Sequence, residues 1–275
     1  MTIFKEALIE KKIKIKSLKK IRIGETSKTY IGEYKNQKVI VKYFLQNKLN
    51  KVTNHFLKNK IRSQIIAKKL FPKILYANQK DGLLIYEFFK ESAYKKNRVN
   101  YINNIGIKLK ELHSIKLPKN ILSIDDQLTF YKKILTKNSN LLVLNEFQEF
   151  FKLIKRSDSK YVFSHNDLNS ANILYSDDDD DVCFIDYEYA SLNSRYCDLS
   201  KIIENLSLNK SEINALFNGY GLKISKNTHN SIRNWVIMNN YIELIWLCAF
   251  NEIKKNYFKT SHIKRLLDKI KRLKQ

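Results

Sequence analysis

One stretch constrains this chain more than any other: Ser164-His165-Asn166-Asp167-Leu168-Asn169-Ser170-Ala171-Asn172-Ile173-Leu174, followed by Phe184-Ile185-Asp186-Tyr187-Glu188. It holds a His-x-Asp, an Asn five residues after that Asp, and a second Asp that closes a short apolar strand two residues before a Glu. The set suits phosphoryl transfer from a nucleotide. That reaction needs a carboxylate to accept a hydroxyl proton and two oxygen ligands to hold Mg²⁺ against the phosphates. Asp167 fits the first role, Asn172 and Asp186 the second.

A chain of 275 residues can bury a large core, as one domain or as two lobes sharing a cleft. Neither the opening Met1-Thr2-Ile3-Phe4-Lys5-Glu6 nor any later stretch has the apolar length of a signal peptide or a membrane span, so the expectation is a soluble cytoplasmic protein. Cys183, Cys197 and Cys248 are odd in number and widely spaced. They argue against a disulfide framework or a zinc site and read as free buried thiols. The formal net charge of +24 invites a nucleic-acid or anionic-membrane reading. No supporting motif accompanies it, and the lysines are spread among many Ile and Asn, so it reads as compositional bias. Ile263, Leu266, Leu267, Ile270 and Leu273 recur at helical spacing inside the basic C-terminal stretch, which predicts an amphipathic helix docking its apolar side.

In chain order, residues 2–10 suggest a short helix. Three β-rich segments then predict an antiparallel meander: 20–24, 29–34 and 37–43, with a turn at Lys35-Asn36. The first hairpin loop, Gly24 to Thr29, is small and polar, with donors suited to covering a triphosphate. Residues 46–70 read as a basic helix. Two further strands flank an Asp81-Gly82 turn. From about residue 98 the pattern is mainly helical, with a stripe of Ile102, Ile105, Leu109 and Leu112 ending at His113, taken as structural. Asn172 to Tyr175 and Val182 to Ile185 form a second hairpin around the acidic tip Asp177 to Asp181. The last third contains four helices.

The motifs His165-Asn166-Asp167-Leu168, Asn172-Ile173-Leu174, Ile185-Asp186-Tyr187-Glu188-Tyr189-Ala190, Asn193-Ser194-Arg195 and Asp198-Leu199 together resemble the choline/ethanolamine kinase family, a branch of the aminoglycoside phosphotransferase-like proteins. The resemblance implies an α+β, two-lobed, protein-kinase-like fold. Residues 1–89 would form an antiparallel β lobe for the nucleotide, and residues 90–275 a mainly helical lobe for catalysis and the acceptor. It implies ATP and Mg²⁺ as cofactors and a small amino alcohol as acceptor, choline first and ethanolamine second. Thiamine, an aminoglycoside or a sugar are the alternatives within the fold, and a non-catalytic nucleotide- or nucleic-acid-binding module the alternative outside it.

Residue by residue, Asp167 resembles the catalytic base that also orients the acceptor hydroxyl, and Asn172 and Asp186 the Mg²⁺ ligands, with Glu188 as a further carboxylate beside them. Lys42 would hold phosphates, with Gly24, Ser27 and Lys28 covering them. The hinge residues Glu87, Phe88 and Phe89 would meet the adenine edge, with Ile185 also on the nucleotide side. Asp198 and His165 would brace the catalytic loop. Acceptor recognition would draw on Tyr189, Glu204 and Trp246, because a quaternary ammonium is bound by aromatic faces and carboxylates. Two positions depart from the family pattern. Gln64 stands where a helix Glu would pair Lys42, so that a neutral hydrogen bond is the most it could offer, and Ala249 stands where many choline kinases carry a second Trp.

Overall fold

In a computed structural model, residues 13–24, 26–45, 57–92, 97–155, 161–176, 181–255 and 257–275 are described. The segments expected as a helix at 2–10, as the first part of a helix from 46 to 56, and as the acidic tip at 177–180 lie outside them.

Strands β1 (Lys16–Ile23), β2 (Ser27–Tyr34) and β3 (Gln37–Phe44) form the expected meander. The β2–β3 connection is two residues long, with Lys35 and Asn36 both at positive φ, the conformation that matches the twist of a tight hairpin. β4 (Ile74–Asn78) and β5 (Leu83–Glu87) complete an antiparallel sheet in the order β1-β2-β3-β5-β4. The Asp81-Gly82 turn leaves Gly82 at φ +66°, where a Cβ would stand 2.9 Å from the Phe44 carbonyl oxygen. Backbone freedom and close approach both call for glycine there. Lysine-rich β1, exposed along most of its length, blunts one edge of the sheet.

Because side chains alternate along a strand, the register divides this sheet into two faces. Tyr30, Val39, Val41, Leu83 and Ile85 fill a small core of their own with Ile13 on one face. Lys42, Phe44, Leu84 and Tyr86 point to the other face, which joins the main core through Ile61 and Ile65 of α1 (Asn59–Ala67). The catalytic lysine candidate therefore faces inward because the pairing Lys42↔Leu84 puts it on that side.

The larger part is built on α2 (Arg98–His113), α3 (Ile124–Ile134), α4 (Asn138–Lys155), α5 (Arg195–Asn205), α6 (Lys210–Tyr220), α7 (Lys226–Lys254) and α8 (Thr260–Lys274). The predicted α2 stripe is buried, and Asn97 caps its first turn by accepting from the Asn100 N–H. Gly106 of α2 and Gly219 of α6 let the two helices meet backbone to backbone; a Cβ on Gly219 would lie 2.0 Å from the Asn103 carbonyl oxygen. α7 runs 29 residues, and its apolar centre is buried among neighbours. α8 docks Leu266 and Ile270 and leaves Lys264, Lys271 and Lys274 exposed. Two short antiparallel pairs sit between the sheet and the helices: β6 (Tyr161–Ser164) with β9 (Ser191–Ser194), and β7 (Ile173–Ser176) with β8 (Asp181–Phe184). All three cysteines are free and buried. No helix among the described residues is long and apolar enough to cross a membrane.

Candidate active site

The loop after β6 is fixed from below by one carboxylate. Asp198, in the first turn of α5 and fully buried, accepts the His165 N–H at 2.7 Å and the Asn166 N–H at 2.8 Å. His113 Nε2 lies 3.0 Å from its Oδ2, and Tyr220 holds the other side of that imidazole at 2.8 Å. Burial alone would raise the Asp198 pKa. The His113 hydrogen bond and charge, the charge of His165 and the His165 N–H outweigh it and hold the carboxyl below its ordinary value. His113, structural by expectation, is thus one link of this chain of braces.

Asn166 sits at φ +65°, a left-handed conformation that Asn tolerates better than most residues. Its amide donates to the Tyr189 carbonyl and to Ser191 Oγ, and its oxygen accepts from Asn193. His165 is fully buried, and its Nε2 lies 2.9 Å from the Ile185 carbonyl. A carbonyl can only accept, so Nε2 carries the proton and the ring ties the loop to the β7–β8 hairpin.

The hairpin supplies the second half of the site. Ile173 pairs with Phe184, and the Ile185 N–H donates to the Asn172 carbonyl, so Asn172 and Asp186 leave the two strands side by side. The Asn172 amide nitrogen donates to the Asp167 backbone carbonyl at 2.8 Å and to its carboxylate at 3.0 Å. Both partners are acceptors, so the amide cannot be flipped, and its oxygen is the atom left for a cation. Asp186, also left-handed at φ +71°, pairs with Lys42. Burial works to raise its pKa, and the charge and hydrogen bond of Lys42 more than cancel that, so it is held low. Burial raises the Asp167 pKa, and the Lys201 charge opposes that rise. Thr26 Oγ1 donates to Glu188 Oε1 at 2.8 Å, joining the β1–β2 loop to the hairpin's far end.

These groups line an open cleft enclosing about 1420 Å³ of empty space. Of the expected site residues, it brings together Gly24, Ser27, Asp167, Asn172, Asp186, Glu188, Tyr189 and Trp246. Lys42 borders a smaller apolar pocket behind it, which shares Asp186 and Glu188 with the cleft. Among the described residues no three His, Cys, Asp or Glu side chains converge as a complete metal cage. Two carboxylates and an amide oxygen are a hard-oxygen set that fits Mg²⁺, which keeps several waters and takes further ligands from phosphates.

The structure places the other expected residues away from the cleft. β2 begins at Ser27, so Lys28 is a strand residue; it pairs with Ile23 and Tyr43 on the sheet face opposite Ser27 and Thr29, and does not line the cleft. The Glu87 N–H donates to the Lys73 carbonyl and the Phe88 N–H to the Lys38 carbonyl, so these two hinge donors are already used; neither residue lines the cleft, nor does Phe89. Ile185 packs its side chain against the main core instead. Glu204 pairs with Lys269 of α8 and accepts from Asn240 of α7, while its neighbour Asn205 takes the cleft-facing position. Gln64 clamps the backbone of Lys116, accepting its N–H and donating to its carbonyl, and makes no bond to Lys42.

The cleft also contains residues that motif reading missed: Arg22, Gln127, Tyr131, Lys201 and Glu243. Some carried a positional signal. Arg22 pairs with Thr29 across β1–β2. Lys201 lies one turn beyond Asp198, and Glu243 one turn before Trp246. Tyr189 and Trp246 meet edge to face, with ring centroids 6.4 Å apart.

The sequence model for choline/ethanolamine kinase matches residues 16–274. A LicA homolog of Mycoplasma capricolum is 25% identical over 179 residues, 64% of this chain and 71% of that protein. The crystal structure of choline kinase LicA from Streptococcus pneumoniae aligns with TM-score 0.77 and 18% identity, covering 99% of this chain and 97% of that one. A structure of LicA in complex with AMP aligns at TM-score 0.74 and 18% identity, covering 99% and 98%.

Proposed function

Because the chain belongs to the choline/ethanolamine kinase family, and is thereby a small-molecule kinase with an alcohol acceptor, we propose that it transfers the γ-phosphoryl group of ATP to choline or ethanolamine, choline first. The observation that carries this reading is that one cleft holds both a phosphate-and-metal set and an aromatic-and-acidic set. Asp167, Asn172, Asp186 and Glu188 line it together with Tyr131, Tyr189, Trp246 and Glu243. A quaternary ammonium has no hydrogen to donate, so aromatic faces and a carboxylate are what can recognise it.

Asp167 orients the acceptor hydroxyl and takes its proton. Burial makes its carboxylate more basic, which favours that step, and the Asn172 amide fixes the direction from which it acts. Asn172, Asp186 and Glu188 would hold Mg²⁺, which when bound neutralises charge on the phosphates. Lys42 is already directed at Asp186 and would add a cation to the phosphates from the sheet side. Gly24, Thr26 and Ser27 would cover them from above and keep water out. AMP in the related LicA complex supports nucleotide use.

A coupled assay of ADP release across choline, ethanolamine, thiamine, aminoglycosides and sugars, with the Asp167→Asn protein as blank, tests the proposal. The expected result is Mg²⁺-dependent ADP release that is greatest with choline. Release that no amino alcohol accelerates would overturn it.

A further inference from the structure

Lys201 projects from α5 into the cleft on the stripe Cys197, Lys201, Asn205, each one helical turn from the next. It is half-buried, and among the described residues it has no ion pair or hydrogen bond. Lys42, at the back of the cleft, is paired with Asp186, so the two cations differ in what they have left to bind. Withdrawing an ammonium from water without a partner costs free energy, and an anion arriving in the cleft would offset that cost.

Its position is fixed by the same helix that fixes the catalytic loop. Asp198, three residues earlier on α5, holds the backbone of His165 and Asn166, so Lys201 and Asp167 are set relative to each other through one rigid element. Of the charges around Asp167, that of Lys201 acts on it most strongly. A cation there repels a second cation, which places an ammonium head away from Lys201, along Tyr131, Tyr189, Trp246 and Glu243. The hydroxyl end then meets Asp167, and Lys201 is left to meet an anion in the same cleft.

We infer that Lys201 is a catalytic residue that contacts the transferring phosphoryl group from the acceptor side. The inference rests on the proposed kinase reaction. In that step the bond between the γ-phosphorus and the β–γ bridging oxygen breaks, and the pair of electrons leaves with ADP. A bond forms between the phosphorus and the acceptor oxygen, whose proton goes to Asp167. The phosphoryl oxygens carry their charge throughout, and Lys201 meets them as the group moves away from Lys42.

The test uses the full chain as wild type, Lys201→Met and Lys201→Arg. Binding of ADP in the presence of Mg²⁺ and aluminium fluoride, a mimic of the group in flight, is compared with binding of ADP and Mg²⁺ alone. Wild type should bind tighter with the fluoride, Lys201→Met should lose that increment, and Lys201→Arg should keep most of it. With the best acceptor, Lys201→Met should lower kcat by about 10²-fold, the scale of one lost electrostatic donor, with KM for both substrates nearly unchanged. The same increment in wild type and Lys201→Met overturns the inference, as does a rise in acceptor KM at constant kcat, which would make Lys201 a reader of the acceptor. Because the fluoride measurement needs no acceptor, a Lys201-dependent increment in a protein that phosphorylates no amino alcohol would refute the acceptor assignment and leave Lys201 in place.

Discussion

The two walls of the cleft are built on different plans. The catalytic wall comes from the loop after β6, the ends of the β7–β8 hairpin and the single brace Asp198, and its loop is tied down by side-chain hydrogen bonds: Asp198 with two backbone N–H groups and His113, Asn166 with Tyr189, Ser191 and Asn193, Asn172 with Asp167. The acceptor wall is gathered from α3, α7 and the 3₁₀ turn Tyr187–Tyr189, through Tyr131, Glu243, Trp246 and Tyr189. A wall held by a connected hydrogen-bond network tolerates little change, because removing one member leaves buried partners unsatisfied. A wall made of faces contributed by packed helices can vary in content while the helices stay where they are.

The largest effect expected is therefore on the catalytic wall. Asp167→Asn should lower kcat by about 10²–10⁴-fold if proton abstraction is the main work of this residue. Nucleotide titration should be almost unchanged, because Asp186 and Lys42 remain. Turnover close to wild type would remove Asp167 from the mechanism and with it the contrast between the walls.

Asp198→Asn should act on both stability and rate. A carboxamide has one acceptor oxygen for two backbone donors and the imidazole, and breaking a buried charged contact of this kind costs about 3 kcal/mol, readable by urea denaturation. The pH dependence gives a second readout. The folded carboxyl is held below its ordinary value, so its stabilisation is complete above the unfolded pKa of about 4 and is lost as pH falls through the folded value. The stability gap between wild type and Asp198→Asn should shrink on acidification below about pH 4. A gap that is constant with pH would mean that the charge of Asp198 is not what secures the loop.

How much of each wall was legible in sequence follows from the same difference. Asp167, Asn172, Asp186 and Glu188 fall within 22 residues, where strand pairing Ile173↔Phe184 converts spacing directly into proximity. The β-meander and the α2 stripe were legible for a similar reason, since period and turn residues are local. Where Lys28 faces was not legible, because one residue of strand changes the face, and the start of β2 at Ser27 decides it. The direction of Glu204 was not legible, because the docking of α8, through Lys269, selects what its carboxylate meets. Gln64 and Tyr131 depend on contacts with residues more than 50 positions away, which no spacing rule reaches.

On the acceptor wall the effects should be smaller and confined to acceptor binding. Trp246→Leu keeps apolar bulk against Phe250 and Phe258 but removes the ring face, so kcat/KM for choline should fall by about 2- to 30-fold, the range of a cation–π contact of about 0.5–2 kcal/mol. KM for ATP should not move. A loss equal for choline and for an uncharged alcohol would make Trp246 a packing residue only.

The smallest effect sharpens the boundary of that wall. Glu204 is one residue from the cleft-lining Asn205, yet its carboxylate is engaged by Lys269, whose side chain is 42% exposed, and by Asn240. A partly exposed ion pair contributes at most about 1 kcal/mol. Glu204→Gln should therefore lower stability by less than that, with kcat and choline KM within about twofold of wild type, whereas Glu243→Gln should raise choline KM. The reverse pattern, with Glu204→Gln raising choline KM and Glu243→Gln silent, would mean that α5 turns its acidic face into the cleft when the acceptor binds. The acceptor wall would then be set by substrate and not by helix packing.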